Sequence, residues 1–294
     1  MKILIIGAGS IGVYLGTLLF SNNHEVILLG RTKLKKLNET ILIGENPYNL
    51  PPRIYKMPKN KTFDFIFITS KLYDLQKNLQ SVIENNLKSN YLISIQNGIV
   101  DESLYEPYVK NSKFTSISVF EGFRLIENQL VASYSKAGWK TDNSETGKVV
   151  SKLLFDSKIN CTIEKDLNLV KAEKTIMNCS VNLLSAIEKK TFYELFSDEK
   201  TLNKINKLFD ESYNILKKLY TLRSKEVLKK EFYNIASKMK HYSSTYQDAI
   251  SKRKTEAEFL NGLIVRLGKK MKMPTPENKN ILEEFYRIYS DRNK

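Results

Sequence analysis

The stretch KILIIGAGSIGVYLG, residues 2–16, constrains the fold of this chain more than any other. A short apolar run, Lys2–Ile6, is cut off by glycines spaced Gly7-x-Gly9-x-x-Gly12. Behind them Ile11, Tyr14, Leu15, Leu18 and Leu19 recur at helical spacing. A continuous apolar run ended by glycines reads as a buried parallel strand. EVILLGR (25–31) reads as a second strand, so the opening residues form a strand, a glycine turn, a helix and a strand. Glycines at this spacing also serve packing alone, and it is the context that favours a phosphate cradle. Gly7 permits the tight turn, Gly9 keeps a side chain out of the path of a pyrophosphate, and Gly12 lets the helix lie against the strand. Ser10 and Ile11 complete the turn and share its expected cofactor-binding role. At the end of the second strand, where an acid would select NAD, stands Arg31, followed by Lys33, Lys35 and Lys36. A guanidinium pairs with a 2′-phosphate and stacks on adenine, so the expected cofactor is NADPH/NADP+.

The alternation continues with strand-like FDFIFITS (63–70), a helical stretch from Tyr73 to Asn86, and strand-like YLISIQ (91–96). Short β-like runs follow, FTSISVF and QLVASYS, then a helix over 146–156 and a last strand, INCTIE (159–164). Alternating strands and helices imply a parallel, doubly wound sheet. Beyond Asp166 the spans 167–188, 200–222, 225–240, 244–268 and 278–291 all read as helix. The expected fold is therefore α/β: a Rossmann-type NADP-binding domain over 1–166, then an all-helical substrate and catalytic domain over 167–294.

The net charge of +15 raises the question of a nucleic-acid partner. It comes from 39 lysines and only 8 arginines, spread over both parts of the chain. Arginine is the better reader of phosphates and bases, so the expectation is a solvated lysine-rich surface that attracts small anions, with no nucleic acid bound. No apolar run approaches a membrane span and nothing reads as a secretory leader, which makes the cytoplasm the expected location and excludes a membrane partner. With two histidines and two cysteines, Cys161 and Cys179, in no metal-binding spacing, a metal site is not expected and free thiols are.

One helical span is unusual. In VKAEKTIMNCSVNLLSAI (170–187), Lys174, Asn178 and Asn182 are four residues apart and form one polar stripe, with Ile176, Met177, Val181, Leu184 and Ile187 on other lines. Asparagines disfavour helices and are costly to bury without partners. A lysine on such a stripe, facing a ligand, could give a proton to a carbonyl oxygen. The same spacing also suits a plain solvated face.

Taken together, GAGSIG with Arg31, TSKLYD around Lys71, IQNG around Asn97, EKTIMNCSVNLLSAI, SSTYQDAISKRKTEAEFLNG and MPTPENKNIL occur in an order that resembles the ketopantoate reductase (2-dehydropantoate 2-reductase) family. The resemblance spans essentially the whole chain. It implies a Rossmann domain followed by an all-helical one, and NADPH-dependent reduction of a 2-oxo acid, ketopantoate first, in pantothenate synthesis. Lys174 matches the family's general acid and Glu256 its assisting acidic residue. Asn97, Asn178, Asn182 and Ser244 match polar groups around the substrate, and Lys71 and Asn97 are expected on the cofactor side as well. Asn97–Gly98 could equally be a hairpin turn, but IVDESLYEPYV after it does not alternate like a return strand. The chain departs from the family in IENQLVASYSKAGW, where a histidine is usual, at Glu258, where a shorter Asp is usual, and at Thr245, where Met is commoner. Other readings are a paralogue acting on another 2-oxo acid and a non-catalytic NADP(H) sensor, which would need neither Lys174 nor Glu256. The expected partner is a small 2-oxo acid, and the expected state a monomer or homodimer.

Overall fold

Strand β1 (Lys2–Ile6) is buried from Ile3 onward. The computed structural model describes residues 1–31, 34, 36–110 and 112–289. They divide into two compact units, Met1–Leu167 and Asn168–Lys294.

In the first unit β1 leads into α1 (Ser10–Ser21), β2 (Glu25–Leu29), β3 (Thr40–Ile43), β4 (Asn46–Asn49), β5 (Arg53–Ile54), β6 (Thr62–Ile68), α2 (Leu72–Glu84) and β7 (Lys88–Ser94). Then come β8 (Lys113–Val119), β9 (Gly122–Ile126), β10 (Gln129–Ser133), β11 (Trp139–Asp142), α3 (Glu145–Asp156) and β12 (Cys161–Glu164). Eight strands form one sheet in the order β12-β11-β8-β7-β6-β1-β2-β5. All neighbours are parallel except β11 against β8. After β1, the chain moves outward to β2 on one side and later returns to β6 on the other. The crevice at such a reversal, outside the carboxyl ends of the strands, is where open α/β sheets bind ligands. Because β7 and β8 are parallel, Asn97–Gly98 is not a hairpin turn but part of a crossover connection.

Residues 40–49, not read as strands above, form β3 and β4, which join β10 and β9 in a second sheet of order β4-β3-β10-β9. Pro47 lies on its edge strand, where a missing N–H breaks no internal ladder. Ile41, Ile43 and Leu130 face inward, with Tyr48, Phe123 and Leu125 packed against the same core as α1.

The second unit is helical: α4 (Leu167–Glu188), α5 (Phe192–Phe196), α6 (Glu199–Leu216), α7 (Lys225–Ala236), α8 (Ser244–Ile250), α9 (Asn261–Met271) and α10 (Pro276–Tyr289). The span 244–268 is not one helix. It breaks after Ile250, Lys252 turns left-handed (φ 52°), and only a short 3-10 turn, Ala257–Phe259, precedes α9. Arg253 holds this corner by donating from Nε to Asp248 Oδ1 at 2.8 Å. A charged run without apolar residues had nothing to bury as a continuing helix.

A buried polar knot ties the helices together. Asn278 is fully buried; its amide donates to Glu211 Oε1 at 2.8 Å and accepts from Asn261 Nδ2 at 2.9 Å. Glu211 also accepts from the backbone N–H groups of Glu277 and Asn278, capping α10 from α6. Asn278→Ala is expected to cost about 2–3 kcal/mol in denaturant unfolding, since it leaves buried partners unpaired. A loss under about 0.5 kcal/mol would show the knot to be redundant.

Candidate active site

Gly7 sits directly after β1 with φ 116°, and a Cβ there would lie 2.5 Å from the backbone nitrogen of Ser70, after β6. At Gly12 a Cβ would run into the Gly7 carbonyl and lie 2.6 Å from Thr69 Oγ1. Both glycines are therefore required by close approach of β1, α1 and the end of β6. Gly9 differs: a Cβ there meets nothing within 4 Å. As the N-cap of α1 it has no side chain to occupy the helix's first N–H groups. The first turn of α1 thus presents unsatisfied donors and a positive dipole end to open space, as an anion requires. Ser10 Oγ accepts from Leu125 N at 3.2 Å and fastens β9 to the turn, while Ile11 packs on the core.

Arg31 lies just beyond β2, largely exposed, with Nη2 donating to Asp74 Oδ2 at 2.6 Å. Lys36 is exposed, and Lys33 and Lys35 lie outside the described residues. Lys71 is the N-cap of α2 in extended conformation, and Asn97 follows β7. Beside Asn97, the buried Gln96 donates to the Ile68 and Ser70 carbonyls at 2.8 and 3.2 Å, fixing the ends of β6 and β7 to each other. Every proposed cofactor residue of this unit thus stands at the carboxyl ends of β1, β2, β6 or β7.

In the second unit Lys174, Asn178 and Asn182 share one line of α4. Part of the Lys174 side chain is accessible, and burial of its ammonium pulls its pKa down to about 8. Glu256 is buried and close enough to act on that ammonium, partly offsetting the shift, whereas Lys171 adds to it. Among the described residues no side-chain hydrogen bond holds the amides of Asn178, which is half-buried, and Asn182, which is buried. Glu256 reaches this place because of the broken corner, in which it caps the 3-10 turn. The arrangement is a cation of depressed pKa, a carboxylate beside it and two neutral amides, which suits proton donation to an oxyanion forming on a bound carbonyl compound.

Ser244 is exposed at the first residue of α8. Its neighbour Ser243, which sequence reasoning passed over, is buried and donates to the Asn182 carbonyl at 2.8 Å, holding α8 against the stripe. Two adjacent serines before a helix look alike in sequence, and only packing distinguishes the anchor from the exposed one. Asp74 and Asp248 were also missed, each an ordinary helix aspartate until its arginine partner is seen.

Both cysteines are buried free thiols. Among the described residues no three His, Cys, Asp or Glu side chains are grouped to hold a metal, and no helix is long and apolar enough to cross a membrane.

Residues 3–139 match the sequence model described as Ketopantoate reductase PanE/ApbA, and residues 166–287 match Ketopantoate reductase PanE/ApbA C terminal. A 2-dehydropantoate 2-reductase of Aquifex aeolicus (strain VF5) is 27% identical, with 96% of this chain and 94% of that protein covered. The one from Streptococcus pyogenes serotype M1 is 24% identical, with 96% of both covered. Among solved structures, the PanE/ApbA family ketopantoate reductase from Ralstonia eutropha JMP134 shares the fold with a TM-score of 0.88 at 20% identity, covering 100% of both chains. D-mandelate dehydrogenase in ternary complex with NADH and anilino(oxo)acetate superposes with a TM-score of 0.85 at 20% identity, covering 100% of this chain and 99% of that one.

Proposed function

Because this chain belongs to the ketopantoate reductase family, we propose that it is an NADP-dependent oxidoreductase that reduces a 2-oxo acid to the 2-hydroxy acid, with 2-dehydropantoate the leading substrate. In this reading the first unit holds the cofactor and the second supplies the acid and the substrate amides. NADPH, when bound, supplies the hydride to the carbonyl carbon. The glycine turn fits such a group: an open Gly9 at an uncapped helix end would hold the pyrophosphate, and Arg31 would hold the 2′-phosphate. Lys174 gives its Nζ proton to the carbonyl oxygen as negative charge builds there, and the neighbouring Glu256 carboxylate keeps the ammonium form populated. Asn178 and Asn182 orient the oxo-acid end without adding charge. Lys71 and Asn97, at the ends of β6 and β7, serve the cofactor, and Asn97 and Ser244 complete the polar surround of the substrate.

The observation that carries the reading is Lys174, a helix lysine whose ammonium is held near 8 with a buried glutamate beside it. A non-catalytic dinucleotide sensor has no use for that pair. The fold shared with a D-mandelate dehydrogenase that was solved with anilino(oxo)acetate suggests one second reading, a 2-oxo acid with an aromatic side chain. NADPH oxidation with a panel holding 2-dehydropantoate, branched aliphatic 2-oxo acids and phenylglyoxylate separates the two, and turnover of none would overturn both. A dimer is described for a homologous ketopantoate reductase from Staphylococcus aureus, so a homodimer is one of the two assemblies to weigh here by sedimentation.

NADPH is expected to bind at least about tenfold more tightly than NADH, and Arg31→Ala to remove that preference. Fluorescence titration of both cofactors against both proteins checks this; equal affinities in the unaltered protein would sink it.

A further inference from the structure

Arg31 does not stand alone at the end of β2. Its Nη2 donates to Asp74 Oδ2 at 2.6 Å, and the side chains are 78% and 22% exposed. The better-buried partner is thus the carboxylate. Asp74 occupies the first turn of α2, where unsatisfied N–H groups favour an anion, and its own N–H donates to the Lys71 carbonyl at 3.0 Å. The carboxylate is held by its helix, and the longer arginine comes to it.

We propose that Asp74 is a specificity-determining residue that holds the preference for NADPH over NADH below what Arg31 alone would set. The proposal rests on the dinucleotide-binding reading of the first unit. A guanidinium has five N–H donors in a planar fork, and one bond to Asp74 leaves the others for a 2′-phosphate. The carboxylate that takes that bond also neutralises charge and stands within a few ångströms of where the dianionic phosphate must come. That repulsion falls on NADPH only. NADH carries a 2′-hydroxyl there, a donor that a carboxylate accepts, which is how acidic residues select NAD in this fold. One spot therefore holds a group for each cofactor. Their balance sets the selectivity.

The test compares the unaltered protein with Asp74→Asn, Arg31→Ala and the double variant. Each is titrated with NADPH, NADH, and the fragments 2′,5′-ADP and 5′-AMP, which differ in the 2′-phosphate alone. Asn keeps the size and a hydrogen-bond acceptor, and a thermal melt confirms each fold. Asp74→Asn is expected to tighten NADPH and 2′,5′-ADP about tenfold and to leave NADH and 5′-AMP unchanged or weaker by up to about threefold. In Arg31→Ala the NADPH-to-NADH affinity ratio should fall below one, and adding Asp74→Asn should return it towards one. If Asp74→Asn leaves the ratio within about twofold, or weakens NADPH, the carboxylate only orients Arg31 and the proposal is overturned. If the unaltered protein binds neither dinucleotide, the reading of the first unit fails instead, and the fragments show it by binding no better than to Arg31→Ala.

Discussion

Replacing Lys174 by alanine is expected to lower kcat about 10²–10⁴-fold on the best 2-oxo acid, the usual worth of a positioned acid. NADPH affinity should change by less than about threefold, because the groups proposed to hold the cofactor's phosphates are Gly9 and Arg31, in the other unit. A pH profile makes the assignment specific. The acid must carry its proton to act, and burial holds the Lys174 pKa at about 8, so kcat should fall as pH rises through about 8. Glu256 raises that pKa, so Glu256→Gln should move the falling limb to lower pH. Steady-state kinetics between about pH 6 and 10 decide the matter. Unaltered kcat in Lys174→Ala, or a limb that Glu256→Gln leaves in place, would show the lysine to be an ordinary helix residue.

The other large effect is expected at Gly9. Its backbone, φ −77° and ψ −174°, is open to any residue, and a side chain there meets no protein atom within 4 Å. Gly9→Val should therefore melt within a few degrees of the unaltered protein while losing NADPH affinity by roughly 10²-fold or more, since the branched side chain fills the approach to the helix N-terminus. Gly12→Val is the contrast, because its side chain would strike the Gly7 carbonyl. That variant should lose the fold itself. Thermal melts with and without NADPH distinguish the two positions, and a Gly9→Val protein still stabilised by NADPH would remove the phosphate cradle from the mechanism.

The first thirty residues were legible because their signals are local: a buried run, three glycines and a helical stripe lie close together in the sequence. The β3–β4 pair was not, since two four-residue strands around Gly44, one carrying Pro47, leave no alternation long enough to read. The polar stripe of α4 was visible as a spacing, but its chemistry depends on burial and on a glutamate 82 positions later in the sequence. The break near residue 251 was hidden for a related reason: Asp248 and Arg253 look like members of a charge run, and only in three dimensions do they close a corner that carries Glu256. Asp74 carried no signal at all, for its meaning comes from Arg31, 43 residues away.

Helix α4 is bound by partners distant in sequence. Ser243 reaches the Asn182 carbonyl across 61 positions, Asn261 the Cys179 carbonyl across 82, and Tyr289 the Ala186 carbonyl across 103. Helical proteins fold fast when their contacts are local, and these are not. The helices of the second unit carry their own local signals, but α4 is held in place by segments that follow residue 242. The stripe proposed to donate the proton thus owes its placement to residues far along the chain. Without those partners Lys174 would lose the burial that draws its pKa down, so the chemistry proposed for the stripe depends on the segments from Ser243 to Tyr289 as much as on α4 itself.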